Sequence, residues 1–585
     1  MNRLKTTLIA FGFILLSLAG VAESEILFRS TFGVKDAGSI NPWDVESRSY
    51  DNWASNSSMV GLIQAREENT DIYQTRMHGR YSLYINDPDT TISYAYAVSP
   101  TFANTADEYM IEFWFYVPEG GVGFYHSYPI CVPLNINGTD TNTTDAQLWV
   151  TPIKDPAYLQ LTVINNNDTL SAGTIDSLNR WYKLQLHRRN DSVDVYLMSV
   201  LKATIKAESD LKVNALRIGT NKKNLAGEAY WDDFIVTTVP NGVHPRLYFN
   251  SSELANLRLR TQDNTPTVLG KSYAQIFNED IRNQASGWVA NPSSANFSTY
   301  GAVFIYPFYQ PAPSSPNTWI MSAQYSIPAR IEQVAVAAVA TDSTRYYDWL
   351  KPVLIAYSTW QQWSNPEFRT LYPYAIPHEA GLFTQTISMA YDMVFTHLNN
   401  YEKMNAQNGI ITLGLQQLDY QIVQPQEGPD FFTDCKGGLG IGAMVMDPPI
   451  TEYLNASKEI MEQKVMFNPL KCDPLGKGIQ NGHYEYCTMA SIVKWTEAVT
   501  HSNLTLPDYY ATCPFLMNYN AARCEWYSLR NVSPYIIEPT FYHCYGISYD
   551  DPSSMYLLSG KYKNSYSQYL VAKWPWPSNF EFILT

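Results

Sequence analysis

The chain contains 585 residues with a mass of 66.5 kDa, which is too long for one ordinary hydrophobic core and predicts two or three domains. Charged residues make up 16% and aromatic residues 14%, a balance that excludes a disordered chain and a coiled coil. The formal net charge of −15 argues against nucleic-acid binding, because phosphate affinity comes from clustered Lys and Arg. Abundant Tyr and Trp suit sugar-stacking surfaces as well as β-sandwich cores, and we favour the core.

The N-terminus has the layout of a secretory signal. Arg3 and Lys5 precede an apolar run over residues 8–18, and small residues follow up to Ala22. We therefore predict a signal peptide over residues 1–22, cleaved after Ala22, with an uncleaved anchor as the alternative. The apolar run is short for a membrane span, and no later segment has 18 uninterrupted apolar residues. The remaining chain is expected to be secreted, periplasmic or on the cell surface, without membrane contact after cleavage.

Two further features agree with export. Six of the seven cysteines lie after residue 430, in a spacing that matches no zinc site and leaves disulfide pairing open. The chain also has ten N-x-S/T sequons, the acceptor sequence for N-linked glycans in a host that makes them. These are Asn56, Asn137, Asn142, Asn167, Asn190, Asn250, Asn296, Asn455, Asn503 and Asn531.

Residues 24–239 have the pattern of a β-sandwich. Apolar and polar residues alternate in short runs that are separated by Asn, Asp, Gly and Pro. The clearest predicted strands are Tyr109–Val117, Leu159–Ile164, Trp181–His187 and Glu228–Val236.

The last of these runs, Glu228–Val236, resembles the closing strand of concanavalin A-like (laminin-G-like) jelly rolls, in which an acidic pair precedes alternating apolar residues. The run Phe28–Phe32 resembles the first strand that pairs with it. The resemblance implies a jelly roll of the carbohydrate-binding type over residues 24–239. Asp232 and Asp233 allow a structural calcium ion, although a strand-end turn is the simpler interpretation; no other cofactor is expected.

After a linker and lead-in strand over residues 240–250, the apolar spacing becomes helical. We predict an all-α domain of stacked helical hairpins over residues 251–585, with Ser252 as its first N-cap. No strand-rich segment follows Trp576, so no C-terminal β-sandwich is expected. The predicted helices are Ser252–Arg260, Arg330–Ala340, Tyr346–Trp363, Gly381–Leu398, Met404–Val423, Ile450–Phe467 and Tyr484–Thr500.

Four segments in the second half of the chain resemble heparinase II/III-like and alginate lyase-like proteins. They are His244–Phe249 (HPRLYF), Ala390–Phe395 (AYDMVF), Gly437–Ala443 (GGLGIGA) and Gly478–Tyr486 (GIQNGHYEY). They follow the order of the family. The resemblance implies an incomplete (α/α) toroid after the β-sandwich jelly roll, and cleavage of an anionic polysaccharide by β-elimination. It also implies that the glycines of the third segment let neighbouring helices approach closely.

This reaction requires a neutralised uronate carboxylate, a base for the C5 proton and an acid for the leaving oxygen. The segment around residue 484 contains suitable residue types, with Tyr484 and His483 as catalytic candidates and Gln480 and Asn481 as carboxylate ligands. Tyr486 lies on a more apolar stripe of the predicted helix and is therefore the weaker candidate. Counted from the glycine by the spacing of the family, the active tyrosine would fall on Glu485. A helix start with two packing tyrosines remains the alternative.

Four further residues are candidates in the same cleft. His543 is a second possible base, with a buried, hydrogen-bonded histidine as the alternative. His378 precedes a predicted helix and could bind an anionic sugar, and Arg369 could clamp a carboxylate unless it is a solvated loop residue. Asp430 stands where the family has an Asn that neutralises the uronate. An acid there would do so only when protonated or metal-bound.

The leading hypothesis is thus a secreted lyase acting on a uronate-containing anionic glycan. A non-catalytic glycan-binding or cell-surface protein on the same fold is the second hypothesis. The third is a glycoside hydrolase, which needs a pair of carboxylates in the cleft, and the acids to consider are Glu379, Glu485 and Asp430. The sequence leaves the polysaccharide and the oligomeric state open.

Overall fold

The computed structural model of the chain combines antiparallel sheets with helices. Strands occupy the described chain up to residue 238, and helices follow from residue 251. The described residues are 26–30, 53–55, 60–64, 81–87, 96–116, 132–134, 148–155, 158–165, 168–175, 181–206, 213–219, 227–266, 271–290, 316–360, 363, 378–419, 429–461, 494–499 and 501.

The strands form three sheets, and the four predicted strands correspond to β6, β9, β11 and β15. The bounds are β1 Ile26–Ser30, β2 Ala54–Ser55, β3 Val60–Gln64, β4 Tyr81–Asp87, β5 Tyr96–Val98, β6 Glu108–Tyr116, β7 Val132–Leu134, β8 Leu148–Asp155, β9 Tyr158–Asn165, β10 Asp168–Ile175, β11 Trp181–Arg189, β12 Ser192–Leu197, β13 Val200–Lys206, β14 Arg217–Gly219 and β15 Gly227–Thr238.

The largest sheet has eight strands in the order β13-β12-β11-β6-β15-β4-β3, with β1 paired to the second half of β15. The first and last described strands of this region therefore pair, as the resemblance of Phe28–Phe32 to a first strand implies. The pairing is antiparallel and aligns Phe28 with Val236. Two smaller sheets have the orders β10-β9-β8-β7 and β14-β5-β2.

The two faces of the eight-stranded sheet differ because successive side chains point to opposite sides. One face has Ile111, Phe113 and Phe115 on β6, and a hydrophobic cluster joins it to Ala97 and Ile218 of the three-stranded sheet. The other face is divided. A buried aromatic cluster occupies one part, and polar side chains occupy the rest. The aromatic cluster consists of Trp114, Tyr116, Trp181 and Tyr230.

Asp232 and Asp233 lie inside β15 rather than at a strand-end turn. The register of β15 against β6 shifts between Asp232 and Ile235, which identifies a β-bulge, and Asp233 has a positive φ of 51°. Both aspartates are fully buried, and Asp232 accepts hydrogen bonds from Ser82 Oγ and the Asp233 backbone N–H. Among the described side chains, no group of three or more His, Cys, Asp or Glu is arranged to hold a metal ion. Calcium binding by this pair stays a prediction.

The helical region consists largely of helices joined in hairpins. Within the described residues, no helix is both long enough and apolar enough to cross a bilayer. The bounds are α1 Ser251–Arg260, α2 Tyr273–Ile276, α3 Asn283–Ala290, α4 Pro316–Thr341, α5 Thr344–Ser358, α6 His378–Val394, α7 Asn400–Gly409, α8 Gln416–Asp419, α9 Pro429–Val445 and α10 Thr451–Ile460. Residues 494–499 are also helical.

Several helix bounds differ from the sequence prediction. Asn250, not Ser252, is the N-cap of α1, since its side chain accepts from the backbone N–H groups of Ser252 and Glu253. The helix predicted to start at Met404 starts at Asn400, where Asn399 and Glu402 form a capping box. A π-helical stretch, Ile410–Leu415, then separates α7 from α8. π-Turns shift the face that a helix presents, and residue spacing does not reveal them.

The helices pack as successive pairs around one core. The pairs α4–α5 and α9–α10 are in contact, and α6 lies between α4 and α9. The helical residues 494–499 contact both α9 and α4. Trp495 packs against Gly440 of α9, and Lys494 forms an ion pair with Glu332 of α4 at 3.0 Å. The helices α4, α6, α9 and 494–499 therefore contact one another in a closed series.

The polar part of the eight-stranded sheet is covered by α7 and by the C-terminal end of α5. The buried Lys183 Nζ donates to the Ser358 carbonyl at 2.6 Å and to Asn405 Oδ1 at 2.7 Å, and lies 3.4 Å from Glu112 Oε2. Gln185 Nε2 donates to Glu112 Oε2 and to Asn405 Oδ1, both at 2.7 Å. We call these five residues the interface network. It joins the sheet to the helices without exposing a charge.

Tyr401 of α7 extends this contact to β12. Its hydroxyl donates to Gln185 Oε1 at 3.0 Å, and its ring stacks on Tyr196 with centroids 3.9 Å apart. Burial raises the pKa of Tyr401 well above its ordinary value, so the hydroxyl keeps its proton and its role as a donor. Glu108 accepts from Asn400 Nδ2 and pairs with His187 at 2.9 Å.

Replacing Lys183 tests the interface network. Lys183→Met leaves the buried Glu112 carboxylate without its cation, and we expect a loss of about 3–5 kcal/mol in the free energy of unfolding. Lys202→Met, on the exposed edge strand β13, is the matched control and should change stability by less than about 0.5 kcal/mol. Urea unfolding measures both. Adding Glu112→Gln to Lys183→Met should recover part of the loss. Equal stabilities of Lys183→Met and Lys202→Met would contradict the network.

Candidate functional site

Two of the segments singled out in the sequence meet in the structure. The segment His244–Phe249 follows the last strand, and Asp392 lies in α6 within the Ala390–Phe395 segment. Asp392 Oδ1 is 2.6 Å from His244 Nδ1, and the carboxylate also accepts the backbone N–H groups of Arg246 and Leu247 at 2.9–3.0 Å. One carboxylate thus fixes three donors of the lead-in segment, one from a side chain and two from the backbone.

Asp447, just after α9, holds the other side of the same segment. It accepts from His244 Nε2 at 3.1 Å, from Arg246 at 2.5 Å and from the Gly242 backbone N–H at 2.9 Å. The Arg246 guanidinium also donates to the Val445 and Met446 carbonyls at 2.7 Å. We call His244, Arg246, Asp392 and Asp447 the clasp. It connects the lead-in segment to two helices of the core.

Three of the four clasp residues, His244, Asp392 and Asp447, are buried, Arg246 is partly buried, and the four charges balance. His244 stacks on Phe395 with centroids 4.0 Å apart. Burial by itself would lower the pKa of His244, but the hydrogen bonds that its ring donates to Asp392 and Asp447 raise it above its ordinary value. Burial would raise the pKa of Asp447, yet the bond and charge of His244, together with Arg246, lower it. A protonated His244 and Arg246 therefore face two carboxylates, an arrangement suited to holding the fold rather than to chemistry on a ligand.

The glycines of α9 allow close packing, as the resemblance implies. A Cβ on Gly438 would lie 2.7 Å from the Gly381 carbonyl of α6, and one on Gly442 would lie 2.6 Å from Leu415. A Cβ on Gly440 would meet Trp495 and the Ser457 hydroxyl. At Gly438 the neighbouring atom is a backbone carbonyl, so the backbones of α6 and α9 approach at a distance that only glycine permits, whereas at Gly440 and Gly442 the neighbouring atoms belong to side chains.

These contacts also give the relative direction of α6 and α9. Gly438 lies against Gly381, and further along both helices Gly442 lies against Thr384 and Ser388. The two helices therefore run parallel, with their N-terminal ends on the same side. His378 is the first residue of α6, and Asp430 is the second residue of α9. The fold thus brings these two candidate residues to one end of the helix pair.

The other predicted site residues lie outside the described residues. These are the catalytic candidates Tyr484, His543, His483 and Tyr486 and the substrate-binding candidates Gln480, Asn481 and Arg369. Their roles stay predictions.

The sequence analysis missed one polar group among the helices. Glu332 of α4 accepts from Lys494 Nζ at 3.0 Å and from Thr386 Oγ1 at 3.0 Å, although each of the three lies in a mainly apolar stretch. A charge in a mainly apolar helix needs a partner when the helix packs. In the sequence, Arg330 lies near Glu332 and Glu497 lies near Lys494, so residue spacing gives no sign that Glu332 and Lys494 pair with each other.

Among the residues whose side-chain exposure the structure describes, the exposed large apolar side chains are Val200, Leu201, Val243 and Leu259, none of them aromatic. This supports the prediction that the abundant Tyr and Trp residues pack in the core rather than form a surface that stacks on sugars.

No protein-family model matches the chain, and no curated protein matches it. Among solved structures, it shows a slight likeness to domain 4 of a GH43 extracellular arabinanase from Geobacillus stearothermophilus, in complex with arabinotriose, with a TM-score of 0.24 and 11% identity over 37% of this chain and 93% of that chain. The receptor-binding domain of botulinum neurotoxin type G gives a TM-score of 0.22 and 15% identity over 38% of this chain and 50% of that chain. Likenesses at these TM-scores assign neither a fold nor a function.

The clasp predicts a pH-dependent stability. His244 has a raised pKa in the folded protein, so its stabilisation is fully present below the ordinary value of 6.5 and is lost as pH rises through the raised value. Asp447 has a lowered pKa, so its stabilisation is present above the ordinary value of 3.8 and is lost as pH falls through the lowered value.

We therefore expect the difference in unfolding free energy between the wild type and His244→Gln to be largest between these two ordinary values. It should shrink as the pH is raised through the folded-state pKa of His244. Chemical denaturation across a pH series measures it. A difference that stays constant from acidic to alkaline pH would show that His244 is not protonated in the clasp.

The glycine packing predicts opposite outcomes at two helical glycines. Gly438→Ala should destabilise the protein by about 1–3 kcal/mol, because the new methyl group overlaps the Gly381 carbonyl. Gly287→Ala in α3 meets nothing within 4 Å and should stabilise by up to about 1 kcal/mol, since alanine is the better helix former. Thermal and urea unfolding of the two variants compare them. A Gly438→Ala variant as stable as Gly287→Ala would contradict the close approach.

Proposed function

We propose that the protein interacts with glycans and acts as a polysaccharide lyase on a uronate-containing anionic chain. The observation that supports this most is the contact between sequence segments that suggested the family independently. The segments His244–Phe249 and Ala390–Phe395 meet through Asp392. The third segment, Gly437–Ala443, lies in α9, and its glycines pack α9 against α6. Segments separated by about 150 residues in the chain thus serve one scaffold, which is what a shared family fold would require.

The helix arrangement supports the incomplete (α/α) toroid that belongs to this proposal. The helices α4, α6, α9 and 494–499 contact in a closed series, and α5, α7 and α10 each follow one of the first three in the chain. In a toroid the substrate cleft lies at one end of the inner helices. The proposed jelly roll would complete the architecture on the N-terminal side.

His378 and Asp430 are proposed to lie at that end of the ring, because they begin the parallel helices α6 and α9. Helix N-termini have a partial positive charge and favour an anionic group. In the proposed reaction a base, Tyr484 or His543, removes the C5 proton of the uronate. The electron pair forms the C4–C5 double bond and the C4–oxygen bond breaks, with the leaving oxygen protonated by an acid. Gln480, Asn481 or His378 would polarise the carboxylate.

Asp430 helps to distinguish a lyase from a glycan-binding protein without catalytic activity. A carboxylate near the uronate opposes binding unless it is protonated or shares a cation, so a glycan-binding protein without catalysis is the second candidate. Asp430→Asn would provide the neutral amide that the family has at this position. In a lyase, this change should preserve or raise the activity.

The lyase proposal predicts an ultraviolet-absorbing product. Incubation with alginate, heparan sulfate, chondroitin or hyaluronan should release an unsaturated uronate from at least one of them. Tyr484→Phe should lower the rate about 10²- to 10⁴-fold, the usual contribution of a general base or acid. Tyr196→Phe on β12, which removes a hydroxyl from the β region, is the control and should keep full activity.

The absence of an unsaturated product with all four glycans at high protein concentration would contradict the lyase. Retained binding in a glycan pull-down would then favour the non-catalytic candidate. New reducing ends without ultraviolet absorbance would indicate a hydrolase instead.

A further inference from the structure

Three of the ten sequons lie in the described residues, and the structure distinguishes them. Asn190, Asn250 and Asn455 all have exposed side chains. N-linked glycosylation attaches a sugar to the amide Nδ2, so an acceptor must have an accessible Nδ2 and a fold that does not need this nitrogen as a donor. These two conditions are separate from the proposed lyase function.

Asn190 forms the tip of the β11–β12 hairpin. Arg189 pairs with Ser192, so the loop is only Asn190 and Asp191, and Asn190 has a positive φ of 45°. The Asn190 backbone carbonyl accepts from Arg188 Nε at 2.8 Å, while its side chain donates to none of the described residues. The Ser192 hydroxyl donates to the Arg189 carbonyl. A sugar on Nδ2 would extend from the end of the sheet without displacing a contact.

Asn250 uses its amide in a way that leaves the nitrogen available. Its Oδ1 accepts from the Ser252 N–H at 2.9 Å, from the Glu253 N–H at 3.1 Å and from Ser252 Oγ at 2.6 Å. The capping function therefore belongs entirely to the oxygen. N-Glycosylation replaces one N–H of the amide and keeps the carbonyl, so the N-cap of α1 survives the modification.

Asn455 is different because it lines a shallow groove between β1 and α10. The groove also contains Arg29 and Glu452, which form an ion pair across it. The Ser457 hydroxyl of this sequon is buried and donates to the Lys436 carbonyl. An oligosaccharide at Asn455 would occupy the contact between the strand and the helix.

We propose that Asn190 and Asn250 carry N-linked oligosaccharides in the exported protein, and that Asn455 does not. The donor is a lipid-pyrophosphate-linked oligosaccharide. The amide Nδ2 attacks the anomeric carbon, the new N–C1 bond forms, and the C1–O bond to the pyrophosphate breaks. The lipid pyrophosphate leaves with the electron pair, and the amide loses one proton to a base of the transferase.

The experiment is secretion of the full chain from a eukaryotic cell line, followed by peptide:N-glycosidase treatment in heavy-oxygen water. Glycosylated asparagines become heavy-labelled aspartates and are located by peptide mass spectrometry. We expect the label at Asn190 and Asn250 and none at Asn455. An unlabelled Asn190 or Asn250 in the secreted protein, or a labelled Asn455, would overturn the proposal.

Matched variants separate the glycan from the fold. Ser192→Ala and Ser252→Ala remove the sequon hydroxyl while keeping each asparagine, and each should reduce the intact mass by one oligosaccharide. Asn250→Ser should lose the same oligosaccharide and keep the helix cap, because serine is an equally good N-cap. An unchanged intact mass in Ser192→Ala or Ser252→Ala would show that the corresponding site is unmodified.

Discussion

The carboxylate of Asp392 is the constraint on which much of the arrangement depends. It accepts from His244 and from two successive backbone N–H groups, and therefore fixes where the chain goes after leaving the last strand of the sheet. Asp447 fixes the same segment from the opposite side. A buried carboxylate is costly unless its oxygens are fully bonded, so the segment, α6 and the end of α9 can adopt only mutual positions that satisfy these bonds.

The contact between sheet and helices follows the same principle. Lys183 and Glu112 are fully buried, and Ser358 and Asn405 accept hydrogen bonds from the Lys183 ammonium group while Gln185 donates to Glu112 Oε2. The alternation of polar and apolar residues along the strands would place the face with Lys183, Gln185 and Glu112 in solvent. In the structure this face is an internal surface. This has a functional consequence, because α7 covers the polar part of the face and aromatic packing fills another part. In the proposed lyase, the glycan would then bind at the helix ends rather than on this face of the sheet.

The glycines of α9 make the proposed cleft geometrically possible. By letting α6 and α9 approach in parallel, they bring His378 and Asp430 to one end of the helix pair, although 52 positions separate them in the chain. The pair Lys494–Glu332 then joins the last described helix to α4. Packing distance and charge pairing together produce the closed series of helices that supports the toroid proposal.

The sequence by itself predicted a strand-rich part followed by a helix-rich part and the longer elements in each, because these follow from residue spacing, which is a local property. The close packing at the α9 glycines was implied by the resemblance to the family. The sequence did not reveal the π-helical stretch, the cap at Asn250 or the bulge at Asp233, since small backbone adjustments decide them. Only the tertiary structure decided that Lys183 is buried, that His244 lies between Asp392 and Asp447, and that His378 and Asp430 share an end. The reason is that a charge or a polar side chain specifies the need for a partner, whereas the identity of that partner depends on which distant backbone the packing brings within hydrogen-bond distance.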